Sequence, residues 1–303
     1  MTTTCENVNA ATPRVVVADK AGACFGVERA LKLALETGRA AEGPVHTLGP
    51  LIHNPVVVRE LESSGVTVVA STDEVGEGAT LLLRTHGVTP AVEEAARAAG
   101  ATVLDATCPF VKKCHRAAER LVAEGYQLII VGEDGHPEVE GTLGHAPGAL
   151  VIGTPKEAAA AELKRKVGIV VQTTQAEDNL RAIVSALLGR CEELRVIDTI
   201  CEATHERQDA ASALAGQADV MVVIGGRNSA NTRHLAEICA EHCARTHHIE
   251  TADELEPAWF AGAALIGVTA GASTPQAHID SVVAAIERLD AASGAATPAE
   301  AEA

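Results

Sequence analysis

The feature that most constrains this chain is an internal repeat, because self-similarity at a fixed period decides the fold prediction. In each repeat an apolar run is followed by a polar loop and then by a helical pattern. One triplet, "HTLGPLIHNPVVVREL", "LIIVGEDGHPEVEG" and "VMVVIGGRNSANTRHLAEI", carries in its loops His53, His136 and Asn231. A second triplet, "ATLLLRTHGVTPAVEEA", "GIVVQTTQAEDNLRAI" and "ALIGVTAGASTPQAHI", carries in its loops His86, Thr173 and Ser273.

A third triplet contains cysteine and comes first in each unit. The segments "KAGACFGVERAL", "LDATCPFVKKCH" and "IDTICEATHERQ" are centred on Cys24, Cys108 and Cys201. Three triplets in the same order are not expected by chance. The sequence therefore predicts three repeated units at 13–105, 106–198 and 199–290. The remaining segment, 291–303, is rich in Ala, Glu, Pro and Thr and is predicted to be a disordered tail.

Short apolar runs that alternate with helical patterns are typical of βαβ crossovers and parallel sheets. The predicted fold class is therefore α/β, with three pseudo-repeated small domains of about 90 residues each. Ligand-binding groups gather at the carboxyl ends of parallel strands, which is where the loops of all three triplets begin. A trefoil of the three domains, with these ends pointing inward, would bring the cysteines and the polar loops to one central cavity.

Composition and charge exclude several functional classes. The net charge of −17 argues against nucleic-acid binding, since the phosphate backbone needs a basic surface. No apolar run approaches the roughly 20 residues of a membrane helix, so no membrane association is predicted. The amino-terminal stretch "MTTTCENVNAATPR" lacks the apolar core of a signal peptide, which predicts a cytoplasmic protein. In that compartment the eight cysteines are expected to be ligands, nucleophiles or core thiols.

Three converging cysteinates allow two kinds of metal site. They can hold zinc together with a histidine, or a [4Fe–4S] cluster with one iron that lacks a protein ligand. An iron with an open position can also act as a Lewis acid. Cys239 and Cys243 could form a helical metal pair with His247, but they fall on an apolar helix stripe, so core packing is expected. Cys114 and Cys191 occur in similar helical contexts and are predicted to be structural.

The side chains expected around the cavity are rich in hydrogen-bond donors and poor in carboxylate. They are His53, His86, His136, Ser229, Asn231 and Ser273. Such a set suits an anion with many acceptor oxygens, namely phosphate or diphosphate. Backbone N–H groups of the glycine-rich loops 225–228 and 270–272, each opening a helix, would add to this binding. Glu138 is the exception, and a carboxyl group in an anion-binding cavity indicates proton transfer.

Taken together, these segments closely resemble the 4-hydroxy-3-methylbut-2-enyl diphosphate reductase family. The resemblance is carried by "ACFGVERA", "GPLIHNP", "RTHGV", "DATCPFV", "GHPEVEGT", "QTTQ", "DTIC", "RNSANT" and "GVTAGASTP", and it spans residues 14–290. It implies a trefoil of three α/β domains around an oxygen-sensitive [4Fe–4S] cluster. The implied cluster has three ligands, Cys24, Cys108 and Cys201, and one open iron.

The resemblance also implies roles for the remaining residues. The diphosphate would be held by His53, His86, His136, Ser229, Asn231 and Ser273. Glu138 would be the proton donor, and Thr173 would hold the substrate hydroxyl and relay protons. The implied reaction is reductive dehydroxylation to isopentenyl and dimethylallyl diphosphates, the last step of the non-mevalonate isoprenoid pathway. Two departures from the commonest family pattern are "ADKAGA" before Cys24 and Ala230, where a second serine often stands.

We expect the electron donor to be an acidic carrier protein such as a ferredoxin or a flavodoxin. Lys112, Arg116 and Arg120 follow Cys108 at four-residue spacing, which places them on one face of a helix. We expect this stripe to dock the acidic carrier through screened electrostatic attraction. The alternative, a solvated helix face with no partner, stays open.

Two rival functions also remain open at this point. One is a zinc hydrolase of a phosphorylated metabolite that uses Cys24, Cys108 and Cys201 as ligands. The other is an iron–sulfur redox or oxygen sensor that binds a diphosphate without converting it. Metal and acid-labile sulfide analysis separates zinc from iron, and turnover separates an enzyme from a sensor.

Overall fold

The computed structural model of the protein describes residues 13–294, and in this range twelve short strands form three four-stranded parallel sheets. The first sheet has the order β3 (Val66–Val69), β2 (Val45–Leu48), β4 (Thr80–Leu83), β5 (Thr102–Asp105). The second has the order β7 (Leu150–Ile152), β6 (Gln127–Val131), β8 (Lys166–Val171), β9 (Glu193–Val196). The third has the order β11 (Thr246–Ile249), β10 (Val220–Ile224), β12 (Leu265–Ala270), β1 (Arg14–Val17). The shared strand order confirms the predicted α/β class with three repeated units.

The structure differs from the predicted unit boundaries at the beginning of the chain. Strand β1 falls within the range 13–105 assigned to the first unit, but it pairs with β12 in the third sheet. The strands that precede Cys108 and Cys201, β5 and β9, each complete the sheet of their own preceding unit. Strand β1 is the equivalent strand before Cys24, and its sheet partners come from the far end of the chain. The three units are therefore closed into a ring by this pairing.

The helices of the described chain are α1 (Phe25–Ala40), α2 (Pro55–Ser63), α3 (Pro90–Ala98), α4 (Pro109–Ala123), α5 (Pro137–His145), α6 (Pro155–Ala160), α7 (Glu177–Leu187), α8 (Glu202–Ala215), α9 (Ala230–His242) and α10 (Gln276–Gly294). Five of them, α2 to α6, begin with proline, whose fixed φ suits the first helical position. Helix α10 extends to Gly294 and so includes the first four residues of the predicted tail, 291–294. The rest of the predicted tail, 295–303, lies outside the described residues.

Each sheet is covered on both faces by apolar side chains, which explains why its central strands are apolar along their whole length. Every residue of β10 is buried, and the same holds for the last five residues of β8. The clusters on the two faces consist almost entirely of Ala, Val, Leu and Ile. Truncation of a fully buried side chain such as Ile129 to alanine should cost about 2–5 kcal/mol. No helix within residues 13–294 is long and apolar enough to cross a membrane.

Candidate active site

One cavity collects every side chain that the sequence singled out as a site residue. These are Cys24, His53, His86, Cys108, His136, Glu138, Thr173, Cys201, Ser229, Asn231 and Ser273. All of them follow the carboxyl ends of parallel strands or lie in the first turn of the next helix. The three sheets therefore aim their loops at a common centre, and each contributes three or more side chains to it.

Each of the three cysteines is the residue that immediately precedes a helix. Cys24 caps α1, Cys108 caps α4 and Cys201 caps α8, and none of the three side chains makes a capping hydrogen bond. Three helix amino termini thus direct their positive partial charge at the cavity, which favours thiolates and other anions there. A Cβ atom at Gly26 would lie 2.7 Å from Cys108 Sγ and 3.8 Å from Cys24 Sγ. Glycine is required at this position so that the two sulfurs can approach the start of α1.

The donor set fits an iron–sulfur cluster better than a single metal ion. A zinc ion needs its sulfur ligands about 2.3 Å from one point. Within residues 13–294, no group of three His, Cys, Asp or Glu side chains is close enough to hold one ion. A cluster contributes its own bridging sulfides, and cysteine thiolates are its usual protein ligands. Three separate cysteines at three helix amino termini match that requirement, and they disfavour the zinc alternative.

The remaining cysteines of the described chain have structural roles, as the sequence predicted. Cys239 and Cys243 are buried in the core between α8, α9 and the third sheet, and burial raises the pKa of Cys239 to about 12. His247 does not join them, because its ring stacks on Trp259 with 3.9 Å between ring centroids. Burial also raises the pKa of Cys114 to about 12, so this thiol is unreactive.

Three histidines form one side of the cavity. The ring centroid of His53 lies 4.3 Å from that of His86 and 5.3 Å from that of His136, and the last two are 5.6 Å apart. Both ring nitrogens of His53 and Nδ1 of His86 are buried and lack a hydrogen-bond partner among the described residues. Nδ1 of His136 accepts from the backbone N–H of Glu138 at 3.1 Å. The neutral His136 ring therefore carries its proton on Nε2.

The surroundings of these histidines favour the neutral form of each ring. Burial lowers the pKa of His53 and His86, and it lowers the pKa of His136 to about 4. The positive charge of Arg84 lowers all three pKa values further, and that of Arg233 lowers those of His53 and His136. Repulsion from neighbouring rings lowers the pKa of His86 and of His136. An anion in the cavity would act in the opposite direction, because opposite charge favours the protonated ring. The ring nitrogens of His53 and Nδ1 of His86, which have no partner among the described residues, are available to a polar ligand in the cavity.

The third unit supplies the opposite side of the cavity. Ser229 caps α9, and its Oγ accepts from the backbone N–H of Thr232 at 3.3 Å. Asn231, in the first turn of α9, is buried with Nδ2 unpaired within the described structure. Ser273 Oγ donates to the carbonyl of His53 at 3.1 Å. Ala230 also lines the cavity and offers no side-chain hydroxyl there.

Glu138 and Thr173 form a part of the predicted site that suits proton transfer. Glu138 is 2% exposed, and burial raises its pKa to about 7 despite two hydrogen bonds from Thr173. The backbone N–H of Thr173 donates to Oε1 at 2.6 Å and its hydroxyl donates to Oε2 at 2.8 Å. A carboxyl group with this pKa exchanges its proton near neutral pH, which is what a general acid requires.

Two residues of the site region were missed in the sequence, and of these only Arg207 lines the cavity itself. Asn54 caps α2 through Oδ1, which accepts from Val56 N at 3.1 Å, while its Nδ2 donates to the carbonyl of Ser273 at 2.9 Å. Asparagine before proline is a helix-start signal, but nothing local reveals its contact with the third unit. Arg207 lines the cavity from α8 and is 3% exposed. No sequence signal distinguishes it from the surface arginines of other helices.

The fold and the cavity define a class: a parallel α/β protein whose three repeated units enclose cysteine thiols and buried polar side chains. The family model described as "LytB protein" matches residues 15–287, which is most of the chain. The protein therefore belongs to the LytB family. The members of this family are iron–sulfur enzymes, and the three cysteines in the cavity agree with that.

Curated relatives cover nearly the same range. A protein of Geobacter sulfurreducens named 4-hydroxy-3-methylbut-2-enyl diphosphate reductase is 49% identical over 277 residues, covering 91% of this chain and 98% of its own. One of the same name from Geobacter metallireducens is 48% identical over 279 residues, covering 92% and 98%. That of Aquifex aeolicus is 45% identical over 279 residues, covering 91% and 96%.

Two solved structures share the fold. One, described as an (E)-4-hydroxy-3-methyl-but-2-enyl diphosphate reductase and the terminal enzyme of the non-mevalonate pathway, is 45% identical with a TM-score of 0.67. It is matched over 90% of this chain and 99% of its own. The E-1-hydroxy-2-methyl-but-2-enyl-4-diphosphate reductase of Plasmodium falciparum is 26% identical with a TM-score of 0.87, over 90% and 87% of the two chains. These matches support the predicted trefoil.

Proposed function

We propose that this protein is a 4-hydroxy-3-methylbut-2-enyl diphosphate reductase that forms isopentenyl and dimethylallyl diphosphates. The substrate's allylic C–O bond breaks, two electrons and two protons enter, a C–H bond forms, and the hydroxyl leaves as water. One observation carries this proposal: three kinds of group meet in one cavity. They are buried polar side chains without a protein partner, a carboxyl group with a near-neutral pKa, and three cysteines that each precede a helix. The names of the relatives support it.

The proposed cofactor is a [4Fe–4S] cluster held by Cys24, Cys108 and Cys201, with the fourth iron open. When bound, such a cluster supplies single electrons and a Lewis-acidic iron. The protein's part is to keep the three thiols at helix amino termini, where thiolate charge is stabilised. Burial raises the pKa of Cys108 and Cys201, so these thiols are expected to lose their protons as the metal binds.

The diphosphate is proposed to bind between the histidines of the first two units and the helix α9 of the third. The residues assigned to it are His53, His86, His136, Ser229, Asn231 and Ser273. Each buried donor that lacks a partner costs about 1–3 kcal/mol, and an incoming phosphate oxygen relieves that cost. Binding energy from the diphosphate would hold the reacting end of the substrate beside the cysteines.

Glu138 is proposed as the proton donor and Thr173 as the residue that holds the substrate hydroxyl. The Thr173 hydroxyl can both donate and accept, so it can pass a proton between Glu138 and the substrate oxygen. Both carboxyl oxygens of Glu138 accept hydrogen bonds from Thr173, so the orientation of the Glu138 carboxyl group is set before the substrate binds.

The decisive experiment is anaerobic purification and reconstitution, followed by iron, zinc and sulfide analysis and an assay with the hydroxylated diphosphate and a reduced donor. We expect about four irons and four acid-labile sulfides per chain and the formation of both products. Stoichiometric zinc without acid-labile sulfide would contradict the cluster. Intact cluster and bound diphosphate without turnover would support the sensor alternative instead.

An acidic protein such as a ferredoxin or a flavodoxin is the proposed electron donor, docking near helix α4. The stripe Lys112, Arg116 and Arg120 lies on this helix as predicted, but Lys112 forms an ion pair with Asp105 and Arg120 lies 3.8 Å from Glu124. Arg116 is exposed and takes part in no ion pair within the described structure, so it is the main candidate for docking. A cytoplasmic location is proposed from the free thiols.

A further inference from the structure

The helix that follows each cavity cysteine contacts the segment that precedes the next cysteine. In the first unit, Arg29 lies on the second turn of α1, the helix capped by Cys24. Its Nη2 donates to the carbonyl of Thr107 at 2.7 Å, across 78 residues of sequence. Thr107 immediately precedes Cys108. The position of the second cysteine is therefore tied to the helix that starts at the first.

The second unit repeats this relationship with a thiol. Cys114 lies on the second turn of α4, the helix capped by Cys108. Its Sγ lies 3.6 Å from Oγ1 of Thr199, which precedes Cys201 by two residues. Both side chains are buried. The contact is uncharged. It connects the helix that begins after Cys108 to the segment that precedes Cys201.

The third unit closes the ring with an arginine. Arg207 lies on the second turn of α8, the helix capped by Cys201. Its Nη2 donates to the carbonyl of Gly22 at 2.8 Å, and its Nη1 donates to the carbonyl of Ala203 on its own helix at 2.8 Å. Gly22 precedes Cys24 by two residues. The contacts thus run from the first unit to the second, from the second to the third and from the third back to the first.

Arg207 differs from the other two members because its charge is buried beside the cavity. It is 3% exposed, its Nε has no partner, and no carboxylate pairs with it in the described part of the chain. Burial lowers the pKa of Arg207, whereas negative charge on Cys24, on Cys201 or, more weakly, on Glu206 raises it. A buried, unpaired cation is costly unless negative charge stands near it. A thiolate-ligated cluster would provide that charge.

We propose that Arg207 is a positioning residue that completes a ring of contacts around the three cysteines and places an unpaired positive charge beside the cluster, favouring its reduced state. The inference rests on the proposed cluster. Reduction adds a negative charge to a cluster, and net charge nearby is one of the factors that set its potential. Neutral Cys114 cannot supply this charge. Arg29 contributes to the ring but does not line the cavity.

The test is to measure the midpoint potential of the cluster in Arg207→Met and Arg207→Lys under anaerobic conditions. Methionine removes the charge and both hydrogen bonds, whereas lysine keeps the charge. We expect Arg207→Met to shift the reduction equilibrium at least tenfold toward the oxidised cluster, about 59 mV for a one-electron couple. Arg207→Lys should recover most of that shift. The matched control is Arg181→Met, which removes an exposed arginine paired with Glu177 on α7.

Cluster assembly tests the ring separately. Arg29→Met should slow reconstitution with iron and sulfide several-fold relative to Arg181→Met while leaving the midpoint potential nearly unchanged. If Arg207→Met fails to fold, Arg29→Met still tests the ring of contacts. A normal rate of cluster assembly in Arg29→Met would contradict the proposal that these contacts position the cysteines. An unchanged potential in fully clustered Arg207→Met overturns the charge assignment. Wild-type protein without acid-labile sulfide would instead contradict the proposed function.

Discussion

Both carboxyl oxygens of Glu138 accept hydrogen bonds from a single residue, Thr173. The distances are 2.6 Å from the backbone nitrogen and 2.8 Å from the hydroxyl oxygen. Glu138 lies in the first turn of α5 and Thr173 in the loop after β8, so two neighbouring loops of the second sheet form the pair. The pairing holds a buried, protonatable group in one orientation toward the cavity.

Replacement of Glu138 by glutamine should reduce turnover by about 10²–10⁴-fold without loss of iron, because the amide keeps the shape but cannot donate a proton as an acid. Diphosphate binding should remain close to normal, since this side chain is not assigned to the anion. Glu140→Gln is the control, as Glu140 is exposed on the same helix. Near-normal turnover in a fully clustered Glu138→Gln protein would remove Glu138 from the proposed role.

The pH dependence follows from the pKa of Glu138, which burial raises from 4.5 to about 7. Since the acid form is the donor, kcat should fall as pH rises through about 7, and Glu138→Gln should lack this decline. The free energy of unfolding should change with pH in the same direction as kcat. The folded protein binds the extra proton between pH 4.5 and 7, so Glu138 reduces the free energy of unfolding as pH rises through that window.

Urea unfolding of the metal-free protein measures this effect directly. Relative to wild type, Glu138→Gln should gain about 2–3 kcal/mol in its free energy of unfolding between pH 4.5 and 8. Equal stability differences at both pH values would show that the carboxyl does not titrate in this range.

Binding of inorganic diphosphate should take up protons. The pKa of His86 lies well below its usual value in the free protein, and bound phosphate charge should raise it. Calorimetry in two buffers of different ionisation enthalpy at pH 7.5 should reveal the uptake. His86→Asn should take up fewer protons and bind about tenfold or more weakly. His145→Asn, outside the cavity, should behave as wild type.

Serine replacement of Cys24, Cys108 or Cys201 should abolish the intact cluster, because a hydroxyl is a poor substitute for a thiolate ligand. Visible absorbance and iron content after reconstitution measure the loss. Cys239→Ser and Cys191→Ser are the controls and should retain the cluster. A cluster lost in Cys239→Ser at normal stability would show that the ligand set is wrong.

Charge reversal at Arg116 tests the docking surface. Arg116→Glu should lower turnover with a reduced acidic carrier protein several-fold at low salt, with the difference shrinking as salt screens the attraction. Turnover with a small chemical reductant should be unchanged. Arg181→Glu controls for net charge. Equal loss with both reductants would place the effect in the site rather than in docking.

The convergence of these side chains on one cavity could be predicted because their signals are local. Each lies where an apolar strand gives way to a polar loop, and the repeated order reveals which loops correspond. Cys24, Cys108 and Cys201 each precede a helix that is visible in the sequence. Parallel sheets place such loops at one edge, so their convergence follows from the strand pattern.

By itself the sequence determined the α/β class, the three units, the family resemblance and most of the polar side chains that line the cavity. The tertiary structure decided that β1 joins the third sheet, that Asn54 reaches Ser273, and that Arg207 reaches Gly22. It also decided the near-neutral pKa of Glu138. The reason is physical: burial and contacts between distant segments arise only when the units pack together, and no local pattern of residues encodes them.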